Sequence, residues 1–184
     1  MTPATTASQP SIVPITGKRF DALERLTARY HKEARRAAKA KAYYGACILI
    51  GSALEASLLM MCSIRTKEVE AYVRTLSAER RPPRQLTKWG LNDLVNTATA
   101  LDWIPGRKTK HARTRPGDWM HVVRELRNLA HPGKHIRDYH KVKVRKAQWA
   151  DAKAIYDLAI ASLLDLVKAD LRAEMRRRGI IPTD

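Results

Sequence analysis

Residues 42–64 read "AYYGACILIGSALEASLLMMCSI", an apolar run that is long enough to cross a membrane. Glu55 lies near its middle, and the mean hydropathy of the whole chain is −0.41. A charge at the centre of a bilayer is costly, whereas the central helix of a bundle can be apolar nearly all round. The run therefore predicts a buried helix from about Tyr43 to about Ser63, and no membrane partner.

The remaining periodic segments are also helical, and none shows the alternation of a half-buried strand. The predicted segments are about Lys18 to about Lys39, roughly 66–79, "QLTKWGLNDLVNTATAL" (85–101), roughly 118–130 with Asp118 as a cap, and roughly 146–177 with Gly179 as a stop. We predict an all-α fold, a single-domain helical bundle of four main helices plus one minor helix over residues 18–184.

The N-terminal stretch "MTPATTASQPSIVPITG" lacks the charged start and the apolar centre of a signal peptide. Its Thr, Ser and Pro content predicts a disordered tail over residues 1–17. The two cysteines, Cys47 and Cys62, lie in the apolar run and are interpreted as small buried hydrophobes in a reducing compartment. A cytoplasmic location follows from these interpretations.

The charge balance is unusual, since 35 Lys and Arg against 18 Asp and Glu give a net charge of +17. Such a field attracts polyanions, so nucleic acid or an anionic membrane surface is the first class of partner to consider. A solvated basic surface without a dedicated ligand is the simpler alternative.

A second informative stretch, residues 124–135, reads "RELRNLAHPGKH". On a helical wheel at about 100° per residue, Val122, Leu126 and Leu129 fall on one broad apolar face. Four polar residues fall together on the opposite side: Arg124, Arg127, Asn128 and His131. Pro132 disfavours helical geometry at the preceding residue, so the histidine is predicted at an accessible helix end.

This polar group suits RNA cleavage without a metal. An imidazole that titrates near neutrality can take a proton from a ribose 2′-hydroxyl or give one to the leaving oxygen. A guanidinium can hold the phosphate and stabilise the charge that develops, and Asn128 can orient the histidine or the sugar. The predicted substrate-binding residues around it are Arg127, Arg113 and Arg115 of the loop 104–118, and Lys134, His135 and Arg137. The alternative is an ordinary solvent-facing helix surface with a capping histidine.

"RELRNLAHP" resembles the signature of the HEPN superfamily, an arginine followed after four to six residues by a histidine. The helix around Glu55 is similar to the early apolar helix of that family. The resemblance implies a metal-independent ribonuclease, often part of a toxin–antitoxin or phage-defence system, and a homodimer in which two motif helices face each other. It also allows a non-catalytic module that binds RNA, a nucleotide or a protein partner such as an antitoxin.

The resemblance assigns Arg124 and His131, with six intervening residues, as the motif pair. Asn128 is the accompanying polar residue, and Arg127 becomes an auxiliary phosphate contact. Which of the two arginines is the partner of His131 stays open. A pairing of Glu55 with an arginine near the motif helix is expected, because a buried carboxylate needs a partner.

Two further patterns are weighed against simpler interpretations. His131, His135, Asp138 and His140 are potential metal ligands, but Pro132 and Gly133 interrupt the spacing of a helical zinc pair, so we predict neither a metal nor a cofactor. Trp103 and Trp119 bracket the basic loop and are suited to stacking on bases. They are interpreted as core or hinge anchors, because aromatic residues are only 6% of the chain.

Overall fold

A computed structural model describes residues 12–104, 144–180 and 182, and these residues form the predicted all-α helical bundle. Within these ranges there are five α-helices and no β-strand beyond one isolated bridge. The helices are α1 (Lys18–Lys39), α2 (Tyr43–Ile64), α3 (Thr66–Thr75), α4 (Leu91–Ala100) and α5 (Lys146–Arg177). Two short 3-10 turns cover Ala78–Arg80 and Leu86–Lys88.

The central element is α2, the helix predicted from the apolar run. It packs against α1, α3, α4, α5 and the turn Leu86–Lys88. Eleven of its 22 residues are buried, and the buried Ser57 hydroxyl is satisfied by donating to the Ala53 carbonyl at 2.8 Å. Among the described helices, only α2 has the length and composition to cross a bilayer. Its neighbours on several sides make it the core helix of the bundle, as predicted.

The helices α1 and α2 form an antiparallel hairpin that closes through residues 40–42. The Ala42 amide donates to the Ala37 carbonyl at 2.8 Å, and the Lys41 amide donates to the Ala38 carbonyl at 3.0 Å. This pair of bonds is a Schellman motif, which requires a left-handed residue after the helix. Lys41 takes that position with φ of 61°. A non-glycine residue there strains the backbone.

Residues 12–17 belong to the folded domain, which corrects the prediction of a disordered tail reaching Gly17. Ile12 and Ile15 are buried, and the Ile15 amide donates to the Ser63 hydroxyl at 3.1 Å. Val13 forms a parallel bridge with Gln85. The hydrophobic contacts offset the disorder that the Thr, Ser and Pro composition favours.

The predicted single helix over 85–101 is wrong in its first part. A 3-10 turn covers Leu86–Lys88, Trp89 and Gly90 are extended, and α4 begins at Leu91. The break is stabilised by two side chains. The Asp93 carboxylate accepts the Gly90 amide at 2.9 Å, and the Trp89 indole N–H donates to the Pro83 carbonyl at 2.6 Å.

The helix predicted over roughly 66–79 is shorter in the structure. It ends at Thr75, and Leu76 is extended with ψ of 147°. The Arg81 guanidinium donates to the Leu76 carbonyl at 3.0 Å, so a side chain satisfies a backbone acceptor that a longer helix would have used.

The last helix, α5, has the predicted bounds, and its Schellman stop uses Gly179 with φ of 68°. Its apolar positions are buried as far as Leu163, and Leu166 is partly buried. Val167 and Leu171, further along the helix, are 41% and 59% exposed. At 32 residues, α5 is about 15 Å longer than the 22-residue α2, and its last turns extend beyond the core.

The strain at Lys41 gives a stability prediction. Lys41→Gly should raise the free energy of unfolding by about 0.5 kcal/mol, because relief of the left-handed strain exceeds the added entropy of the unfolded glycine. The matched change Lys32→Gly, in the interior of α1, should lower it by about 1 kcal/mol. Urea unfolding of both variants measures the difference. A Lys41→Gly protein destabilised as much as Lys32→Gly would contradict this account of the turn.

Candidate functional site

The residues that the sequence places in the catalytic and substrate-binding group lie outside the described residues. They are Arg124, Asn128 and His131, with Arg127, Arg113, Arg115, Lys134, His135 and Arg137. The potential metal ligands Asp138 and His140, and Trp119, also lie outside. Their predicted roles stay predictions.

Both flanks of that segment are held by the core. On the N-terminal side, Trp103 and Ile104 are 1% and 4% exposed. On the C-terminal side, Val144 packs against the same hydrophobic core. The Arg145 amide then donates to the Gln148 side-chain carbonyl at 2.9 Å, which caps the start of α5. The chain is therefore anchored to the core at Ile104 before the motif segment and again at Val144 after it.

Arg65, at the junction of α2 and α3, is the centre of a polar cluster at the N-terminal flank. Its guanidinium makes a two-pronged contact with the Asp170 carboxylate of α5, at 3.0 Å from Nε and 2.7 Å from Nη2. A third bond of 3.0 Å joins Nη1 to Glu68. The hydrogen bond to Asp170 is the main reason that the pKa of Arg65 is raised. The cluster links α2, α3 and α5.

Trp103 is part of the same cluster. The Arg65 guanidinium lies 5.9 Å from the centre of its ring, and its indole N–H donates to Glu68 at 3.2 Å. An indole that is enclosed by core residues on one side and by a guanidinium on the other has no free face for a base. Trp103 is therefore the anchor that the sequence indicated, and it takes no part in stacking on nucleic acid.

Glu55, the predicted structural partner, is half-buried on α2, and so it is more exposed than the sequence suggested. It is engaged in a polar or electrostatic interaction. The predicted pairing with an arginine near the motif involves residues outside the described ranges. A carboxylate at this depth on the central helix is stable only with such compensation.

A histidine contact that the sequence did not indicate joins α1 to α5. The His31 ring stacks on the Tyr156 ring with centroids 5.2 Å apart and an angle of 25°. Burial raises the pKa of the Tyr156 phenol, and a hydrogen bond with Ser57 partly opposes that rise. The contact joins α1 and α5, which both pack on α2. Only the three-dimensional arrangement reveals it, because residues 31 and 156 belong to different helices with no shared motif.

An open cleft of about 570 Å³ lies between α3, the turn Ala78–Arg80 and α4. Its lining mixes apolar and polar side chains: Tyr72, Leu76, Arg80, Pro82, Asp93, Asn96, Thr97, Thr99 and Ala100. Asp93 is already committed to the cap of α4. No sequence pattern marked this cleft, since its wall comes from two helices and an irregular connection.

The cysteines are not nucleophile candidates. Both are free thiols on α2, and both are buried in the hydrophobic core. Burial raises the pKa of Cys47 to about 11 and that of Cys62 to about 12, so both stay protonated at neutral pH. Their interpretation as buried hydrophobes is confirmed. Within residues 12–104 and 144–180, no group of three His, Cys, Asp or Glu side chains has the arrangement of a metal site.

Three kinds of comparison with known proteins were made. No family model, curated protein or solved structure matches this chain. The resemblance of "RELRNLAHP" to the HEPN signature stays a prediction from the residues themselves.

The Arg65 cluster gives a prediction about the flank of the motif segment. Arg65→Lys should lower the free energy of unfolding by about 1–2 kcal/mol, because lysine cannot reproduce the fork to Asp170 or the stacking on Trp103. A double-mutant cycle with Asp170→Asn, measured by urea unfolding, should give a coupling of about 1 kcal/mol, since Asp170 is half-exposed. The Arg36–Glu33 pair, exposed on both sides, is the control and should couple by less than about 0.5 kcal/mol. Equal coupling in the two cycles would refute a special role for Arg65.

Proposed function

We propose that this protein is a metal-independent endoribonuclease of the HEPN type, possessing a single catalytic group on the stretch 124–131. The observation that carries the proposal is the separation of Arg124, Asn128 and His131 from the apolar face of the same predicted helix. Polar groups that face away from their own core are available to a substrate. The net charge of +17 favours a polyanionic one.

The proposed reaction is attack of the ribose 2′-oxygen on the adjacent phosphorus. The new O–P bond forms as the bond to the 5′-oxygen breaks, giving a 2′,3′-cyclic phosphate and a free 5′-hydroxyl. His131 is the acid/base group, and it moves one of the two protons that the step requires. The other transfer falls to water or to His131 of a second copy in the homodimer that the resemblance implies. Arg124 stabilises the charge on the phosphoryl oxygens, and Asn128 holds the imidazole or the sugar.

Two features of the described residues support this proposal. The all-α bundle is the fold class in which the motif was expected. The chain is also anchored to the core at Trp103 and again at Val144, the two described points between which the motif stretch is attached. A cytoplasmic toxin or phage-defence component, with an antitoxin as a protein partner, is the biological role that the resemblance suggests.

The direct test is cleavage of total RNA by the purified protein in excess EDTA. Wild type should cut and leave 2′,3′-cyclic phosphate ends, and His131→Ala should lose at least about 100-fold in rate, the usual contribution of a general acid or base. His121→Ala, which removes an imidazole three residues before that stretch, is the matched control and should retain activity. If His131→Ala cuts as fast as wild type, or cutting stops in EDTA, this mechanism is wrong.

The choice between the two arginines is resolved by kinetics. Arg124→Ala should lower kcat by about 100-fold or more with little change in KM, because its contact strengthens in the transition state. Arg127→Ala should mainly raise KM, as expected of a phosphate contact that is equal in ground and transition states. Single-turnover rates on a short defined RNA separate the two effects. The reverse pattern would assign Arg127 as the partner of His131.

A non-catalytic module that binds RNA, a nucleotide or a protein partner is the second candidate. It predicts binding that weakens with salt, no cleavage, and an affinity that His131→Ala leaves unchanged. The EDTA assay together with a binding measurement on the same two proteins separates the two functions.

A further inference from the structure

One face of α1 carries a row of cations, which we call the α1 ridge. Its members are Lys18, Arg25, Arg29, Lys32, Arg36 and Lys39. At about 100° per residue these six positions fall within an arc of about 80°, so they form one line along the helix. All six are exposed. Asp21, also exposed, falls in the same arc between Lys18 and Arg25. The uninterrupted part of the ridge therefore runs from Arg25 to Lys39, a distance of about 21 Å at 1.5 Å per residue.

The spacing of the α1 ridge is regular. From Arg25 onward, successive members are separated by four, three, four and three residues. This corresponds to axial steps of about 4.5–6 Å. A row of positive charges at nearly even intervals is matched by a polymer with a negative charge on every unit, whereas a single small anion would use only two or three of them.

The charges of the α1 ridge are largely uncompensated within the part of the chain that the structure describes. Arg36 pairs with Glu33 at 2.7 Å, and no ion pair of the other five members is found among residues 12–104 and 144–180. Arg25 and Arg29, and Lys32 and Arg36, are like charges four residues apart, an arrangement that weakens a helix. Packing of α1 on α2 offsets this effect, because the opposite face of α1 places Phe20, Leu23 and Tyr30 against the core.

The surface of α1 argues against insertion into a membrane. An interfacial helix buries an apolar face among the lipids. The apolar face of α1 is occupied by α2, and none of the exposed large hydrophobic residues of the described chain lies on α1. This face is therefore suited to electrostatic contact with an anionic partner.

We propose that the α1 ridge is a docking surface for the phosphate backbone of nucleic acid. The guanidinium and ammonium groups contact consecutive phosphates without reading bases, so binding is independent of sequence and weakens steeply with salt. The site is separate in the chain from the stretch 124–131, and it binds whether or not that stretch is catalytic. If the proposed ribonuclease function holds, the ridge supplies affinity for long RNA and leaves the chemical step unchanged.

The test compares two triple variants that remove the same charge. Arg25→Gln, Arg29→Gln and Lys32→Gln together neutralise the centre of the ridge. Lys67→Gln, Lys88→Gln and Arg172→Gln together are the control, because these three side chains are exposed and lie on other elements. Glutamine is nearly as good a helix former as arginine and lysine, so both proteins should fold, and thermal unfolding by circular dichroism verifies it.

Binding is measured by fluorescence anisotropy with a 20-nucleotide single-stranded RNA in EDTA, with every protein carrying His131→Ala so that the probe stays intact. Between 50 and 200 mM salt, the slope of log affinity against log salt should be smaller in magnitude by about 2 for the ridge variant. Each of the three lost phosphate contacts contributes about 0.7 to that slope. Its affinity at 50 mM salt should fall by at least about tenfold, and that of the control variant by less than about threefold. Equal losses in the two variants would overturn the proposal, since they would show an effect of net charge alone.

Parallel probes identify the ligand class. Single-stranded DNA should bind like RNA, as a backbone contact requires. If the ridge variant lost binding to phosphatidylserine vesicles or to polyglutamate while its affinity for RNA was unchanged, the proposal would be overturned. The ligand of the ridge would then be a membrane or an acidic protein. Cleavage assays with His131 intact keep the two proposals distinguishable. If the ridge variant cuts RNA normally and binds it with unchanged affinity, only the proposal for the ridge is refuted. If binding depends on the ridge but the protein does not cut RNA, only the proposed ribonuclease function is refuted.

Discussion

The burial of α2 is the constraint on which the rest of the structure depends. An apolar helix of 22 residues has to be covered on several sides, and α1, α4 and α5 each contribute a face to that cover. At about 25 cal/mol for each Å² of apolar surface removed from water, this is the largest favourable term available to a chain with few aromatic residues. The polar groups on α2 follow from the same constraint. The Ser57 hydroxyl donates a hydrogen bond to a carbonyl of its own helix, and Glu55 stays half-buried and takes part in a polar or electrostatic interaction.

The surrounding elements divide into those that periodicity predicts and those that it does not. The bounds of α1 and α5 follow from an amphipathic repeat with clear ends, so local sequence is sufficient. The turn Leu86–Lys88 does not follow from any periodic repeat. It depends on the bridge between Val13 and Gln85, which are 72 positions apart. The same bridge holds residues that composition alone assigned to a disordered tail. Pairing between distant segments leaves no periodic signal in either of them.

The limits are similar at the candidate site. A helical wheel sorts the residues of 124–131 into two faces because neighbours on a helix are fixed by spacing. It cannot identify what lies opposite those faces. Arg65 and Asp170 meet across 105 positions, and His31 meets Tyr156 across 125. Neither contact could have been inferred, since the first requires the packing of α5 beside α2 and the second requires α5 to lie beside α1. The sequence therefore predicts the chemistry of a candidate site and indicates the anchoring role of Trp103, and the structure shows the cluster that holds Trp103 in place.

The distribution of charge connects the fold to its proposed partners. Several carboxylates of the described chain are used to hold elements together: Glu68 and Asp170 with Arg65, Asp93 at the cap of α4, and Glu174 at the end of α5. Acids that are committed to structure in this way are not available to balance cations elsewhere on the surface. With 35 basic and 18 acidic residues, the surplus has to face water or an anionic partner. Among the described helices the surplus is largest on α1, which has eight basic and three acidic residues. The apolar side of α1 packs on α2, so the helix that covers the core on one side carries a positive field on the other. The same packing that buries α2 thus fixes a straight row of cations on the outside of the bundle.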